Sequence, residues 1–113
     1  MYDFDVEGGE SVRQVFDRMK AAVAAIAAEN HGRTIAVVSH GCAIRTYLCH
    51  AMGVPLEQLK DVGWSDNTAV SLVEYDDSLQ PRIIFRNSND HLTDELSTLS
   101  HSAWCKDELS ENR

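Results

Sequence analysis

Residues 34–39, TIAVVS, limit more than any other stretch what this chain can become. They are β-branched and apolar almost throughout, without the polar alternation of a half-exposed strand. A strand of that kind is covered on both faces, as in a parallel sheet flanked by helices. The run stops at His40-Gly41, and the next segment, CAIRTYLCHAMG (42–53), carries helical patterning closed by Gly53. Strand, tight break and helix in that order form the βα step of an α/β protein.

The flanking segments extend the pattern. In residues 11–30, Val12, Val15, Phe16, Met19, Val23 and Ile26 recur at helical spacing and make one apolar stripe. Ser11 and Gln14 fit a capping box at its start, and Asn30-His31-Gly32 supplies the stop. Pro55 suits the first turn of a short helix over PLEQLKDV (55–62), and GWSDN (63–67) reads as a loop. TAVSLVEY (68–75) and RIIFRN (82–87) read as strands joined by the turn DDSLQP, which predicts an antiparallel hairpin. HLTDELSTL (91–99) suits a short helix, and residues 93–113 read as an acidic, poorly ordered tail. The expectation is a single α/β domain over 1–113, with a mixed, mainly parallel sheet of three strands and three to four helices. Three strands make a thin sheet, and a fully buried strand at 34–39 needs neighbours on both sides. Its uncovered flank would favour pairing with another chain, so a homo-oligomer is expected.

Charge bears on partners. The chain carries 10 basic and 18 acidic residues, a net charge of −8. Most of the excess sits at the two ends, in Asp3, Asp5, Glu7 and Glu10 and again in Asp94, Glu95, Asp107, Glu108 and Glu111. No basic stripe is visible, which sets nucleic acid aside. No apolar run spans a bilayer, and Cys42, Cys49 and Cys105 show no disulfide framework. A cytoplasmic protein with reduced thiols, off the membrane, is expected.

Ligands in open α/β sheets bind at the carboxyl ends of strands, where His40 falls. Gly41 allows close approach of a bound group, and the amides opening the next helix favour an anion. A histidine there suits a phosphoryl oxygen. The alternative is equally open on these grounds: His40 as the polar end of a strand, bonded to a neighbouring loop.

Further along, the order of motifs is informative. GGES (8–11) opens the first helix, followed by VVSHG (37–41), AIRTYL (43–48), PLEQL (55–59), Asn67 ahead of a strand and RNSNDHL (86–92). This succession, over residues 8–92, resembles the C-terminal half of the histidine phosphatase superfamily, and implies an incomplete phosphoglycerate mutase-like fold. The resemblance implies two histidines of different role. One, in an Arg-His-Gly motif, attacks phosphorus and becomes phosphohistidine. The other, in a motif like VVSHG, forms the phosphate pocket and stabilises the transferring group. His40 matches the second, and the Gly41 amide matches its supporting donor. The implied ligand is a small phosphorylated metabolite or inorganic phosphate, and the mechanism needs no metal or other cofactor. Arg45 matches a position that looks structural in relatives, with substrate contact as its other role. Asn67 is placed at the pocket rim. Glu10 is a remote candidate for the rim or for the general acid.

The match also breaks at one place. The histidines are His31, His40, His50, His91 and His101, and none follows an arginine. The family's second pocket arginine and its acidic residue have no counterpart either. The expected function is therefore a phosphomonoester hydrolase domain lacking the nucleophile segment and inactive alone. A truncated product, a natural short form and a strand-exchanged dimer all fit. The alternative is a non-catalytic anion-binding or interaction module that oligomerises through its sheet edge.

Other candidates are weaker. His101 and Cys105 lie four apart and could join His91, or His40 and Cys42, around a metal, but no paired close ligands such as C-x2-C occur, so no metal is expected. Cys42 at a helix start could be a reactive thiol; a small, inert helix residue is the plainer expectation. Trp64 and Trp104 read as loop and tail residues without an aromatic partner pattern.

Overall fold

The computed structural model describes residues 7–97. In chain order these form helix α1 (Val12–Glu29), helix α2 (Gly41–Ala51), a 3-10 helix (Leu56–Asp61), strand β1 (Val70–Tyr75) and strand β2 (Pro81–Ser88).

Helix α1 starts and stops where local chemistry dictates. The Ser11 hydroxyl accepts from the Gln14 amide at 3.1 Å, and the Gln14 side chain accepts from the Ser11 amide at 2.8 Å. At the far end Asn30 caps the helix and Gly32 takes φ 77. Helix α2 ends at Met52, with Gly53 at φ 70 turning the chain away. The segment after Pro55 is a 3-10 helix, with Gln58 off helical geometry at φ −104 and ψ 26.

The core is the cluster Val12, Leu48, Cys49, Leu56, Leu59 and Val62, joining α1, α2 and the 3-10 helix. Phe16, Ile44, Met52, Val54 and Ile83 pack against it. Of the α1 stripe, Val12 and Met19 are buried, whereas Val15, Val23 and Ile26 are only half-buried. The helix is therefore well covered towards its start and less so towards its end.

The sheet corrects the expectation of a mainly parallel, three-stranded arrangement. Among the described residues it has two strands, β1 and β2, and they run antiparallel. Glu74 faces Arg82 and Tyr75 faces Pro81, with register shifts between Val70 and Val73. The expected hairpin is present; its turn is closed by the Asp76 carboxylate, which accepts from the amides of Ser78 and Gln80 at 2.9 Å.

The stretch at 34–39 is not a strand. Ile35 is 43% exposed, Val37 49% and Val38 92%. A buried parallel strand exists only with partners on its edges and helices on its faces, and the described residues provide neither. The helix count is the lower of the two expected numbers. Among the described residues two α-helices and one 3-10 helix form, while residues 91–97 make only turns, with Leu92 bonded to Asn89 and Leu96 to Thr93. The remainder of the expected fourth helix and tail lies outside the described residues. No helix among the described residues is long and apolar enough to cross a membrane.

Candidate functional site

His40 is the residue immediately before α2. Its backbone is extended, at φ −121 and ψ 163, and its side chain makes no capping bond. Its carbonyl accepts the first helical bond, from the Ile44 amide at 2.9 Å. The amides of Gly41, Cys42 and Ala43 lie ahead of that bond and have no partner within the helix. His40 and Gly41 are both exposed. Three donors at the positive end of a helix, beside an exposed imidazole, form an arrangement suited to a tetrahedral oxyanion.

Below that turn lies Arg45, paired with a residue that spacing did not mark, Trp64. Arg45 is 1% exposed, and its guanidinium carbon sits 4.4 Å from the centre of the Trp64 ring. The same ring lies against the helix start: a Cβ added to Gly41 would meet two of its carbons at 3.8 and 4.0 Å. Gly41 and Arg45 are one turn apart, so the indole covers one flank of the first turn of α2.

The loop carrying Trp64 is tied to the segment that follows β2. Ser65 donates to the Asn87 side chain. Asp66, 5% exposed, accepts from Asn89 at 2.7 Å and from Ser97 at 2.6 Å. Thr68 bonds His91 at 3.0 Å and adopts φ 68, a region that β-branched residues rarely enter. Arg86 donates to the Val62 carbonyl at 2.6 Å, holding the loop's other end.

The other sequence candidates fall in different places. Asn67 is exposed, in the turn between buried Asp66 and β1. Glu10 lies at the start of α1, where Arg18 donates to both of its oxygens at 2.8 Å. That hydrogen bond holds its carboxyl below the usual range. Cys42 is half-buried, and Cys49 is fully buried with its thiol directed at the Val54 carbonyl at 3.2 Å. Burial pushes the Cys49 thiol up. His101 and Cys105 lie outside the described residues. Among the described residues no three His, Cys, Asp or Glu side chains converge as metal ligands. A shallow crevice of about 280 Å³ sits far along the hairpin, lined by Glu74, Tyr75, Asp76, Gln80, Pro81 and Arg82. Its charged walls already face one another, Arg82 donating to Glu74 at 2.6 Å, so the exposed turn at His40 is the stronger candidate for chemistry.

Trp64 and Asp66 are the residues that sequence reasoning missed. An aromatic partner was the wrong thing to seek for Trp64, because its partner is a cation nineteen positions upstream. The acid, amide and hydroxyl around Asp66 come from three separate places in the chain.

Comparison with known proteins gives a consistent result. The sequence model of the histidine phosphatase superfamily (branch 1) matches residues 1–88. Phosphoserine phosphatase 1 of Hydrogenobacter thermophilus is 29% identical over 73 residues, which is 65% of this chain and 34% of that protein. The chain thus spans about a third of the length of this curated relative. No solved structure matches it.

Proposed function

The chain belongs to the histidine phosphatase superfamily (branch 1), and on that premise we propose that it supplies the His40 side of a phosphoryl pocket. In this reading His40 and the Gly41 amide hold the oxygens of a phosphomonoester or of inorganic phosphate. The observation that carries it is the exposed histidine directly ahead of the open first turn of α2, within the residues matched by the family.

The chemistry follows from charge. A phosphoryl group in transfer spreads negative charge over its equatorial oxygens, and preorganised donors stabilise that charge without reorganising. His40 donates from its ring, and the amides of Gly41 and Cys42 donate from the backbone. Asn67, exposed on the loop that carries Trp64, is assigned to the rim by the family resemblance. Glu10 takes no part, because Arg18 holds both carboxylate oxygens. The 113 residues contain no Arg-His-Gly, so the attacking histidine comes from outside them and the chain alone binds without turnover. No metal or organic cofactor enters the reading.

Titration of the protein with inorganic phosphate, followed by amide NMR, tests it. The expected result is a shift of the Gly41, Cys42 and Ala43 signals, with affinity reduced about tenfold or more in His40→Ala, the scale of a lost charge-assisted hydrogen bond. Binding that is unaffected by His40→Ala, or shifts elsewhere alone, would defeat it.

A second reading has an observation of its own. The exposed apolar side chains of Ile35, Val37 and Val38 suit a module that pairs through residues 34–38 with a second copy. Light scattering separates the two: a monomer at all concentrations removes the second reading.

A further inference from the structure

We propose that Trp64 is a positioning residue for the oxyanion site, forming the wall that shields the first turn of α2 and fixes Arg45 beneath it; this rests on the reading of that site given above. Two ring carbons lie 3.8 and 4.0 Å from where a Cβ on Gly41 would stand, and the ring centre lies 4.4 Å from the Arg45 guanidinium carbon. It therefore stands beside both the residue whose amide opens the site and a cation one turn below.

Two consequences follow. An indole against one side of the first turn displaces water there, and a drier flank strengthens the attraction between the amides and an anion. The stack also fixes the direction of a charge that a long, flexible side chain would otherwise spread over many rotamers. A phosphoryl group then meets open donors on the His40 side and a closed wall on the Trp64 side, so its approach is oriented as well as favoured.

The loop is built to keep the ring in place. Side-chain bonds from Ser65, Asp66 and Thr68 reach Asn87, Asn89, Ser97 and His91. Asp66 is buried among these partners. Thr68 holds a strained backbone at φ 68 with its hydroxyl bonded to His91. Strain of this kind persists only where the surroundings over-determine it. The RNSNDHL stretch thus serves the site at a distance: it anchors the loop, and the loop presents Trp64 to α2.

The test repeats the phosphate titration with Trp64→Phe and Trp64→Leu in the full chain. Leucine keeps apolar bulk but removes the aromatic face; phenylalanine keeps a ring. Trp64→Leu is expected to weaken phosphate about tenfold, the scale of a stacked, desolvated cation, while the amide signals of Leu48, Cys49 and Leu59 stay in place. Trp64→Phe recovers most of the affinity. Wild-type affinity in folded Trp64→Leu overturns the inference and leaves the reading of the site intact. Absence of phosphate shifts at Gly41 to Ala43 in the wild type overturns both. Should Trp64→Leu lose the core signals, Asp66→Asn loosens the loop instead and is expected to weaken phosphate by severalfold; unchanged affinity there overturns the inference.

Discussion

The two sides of His40 are built differently. Downstream, α2 runs straight into the core: Leu48 and Cys49 share one buried cluster with Leu56, Leu59 and Val62, and Trp64 stands beside the helix start. Upstream, residues 34–38 form no helix or strand, and Ile35, Val37 and Val38 are open to solvent. One flank of the histidine is thus fixed by a packed scaffold, and the other leaves its large apolar side chains exposed. A pocket that must surround a phosphoryl group needs both flanks. The contrast is in keeping with the proposed reading, in which α2 fixes the donors, and among the described residues no strand buttresses the apolar run before them.

The largest effect that would test this contrast is in the core. Leu48→Ala should cost about 3 kcal/mol, since it removes a side chain 1% exposed and leaves a cavity. Urea unfolding measures it, and a loss below about 1 kcal/mol would show that the downstream flank is as loosely packed as the upstream one.

A smaller effect lies where α2 meets the hairpin. The Tyr47 and Tyr75 hydroxyls bond at 2.6 Å, and Tyr47→Phe should cost about 1 kcal/mol near neutral pH. Burial, then the bond to Tyr75, pushes the Tyr47 hydroxyl well above its ordinary value, and burial raises Tyr75 too. The unfolded chain loses these protons near pH 10, whereas the folded chain keeps them. The stabilisation is therefore complete below about pH 10 and is lost as pH rises above it. Stability measured from pH 8 to 11 should fall more steeply in the wild type than in Tyr47→Phe; equal slopes would contradict the assignment.

The smallest effect is expected upstream. Val38, 92% exposed, should tolerate Val38→Ser within about 0.5 kcal/mol. A loss of about 2 kcal/mol or more, scaling with protein concentration, would show that this segment is buried by a second copy.

These regions also differ in how much of them the sequence discloses. Helix α1 was readable to the residue at its cap, because Ser11 and Gln14 form a local bond. The hairpin was readable because strand alternation and a short turn are local as well. The run TIAVVS was misleading, since its pattern states what it would bury against but the described residues supply no such surface. His40 could be placed ahead of α2 from the strand-stop-helix order. The Trp64–Arg45 stack and the Asp66 anchor could not, for they join residues far apart in the chain through contacts with no periodic signature.

Hydrolysis of p-nitrophenyl phosphate, measured on the wild-type chain beside His40→Ala, is the most direct test of the central claim that these residues hold the binding side of the pocket and lack its nucleophile. The account predicts no turnover above background for either protein, together with phosphate binding that only the wild type shows strongly. Sustained turnover by the wild type that His40→Ala abolishes would contradict it, because an attacking group would then have to lie within these 113 residues.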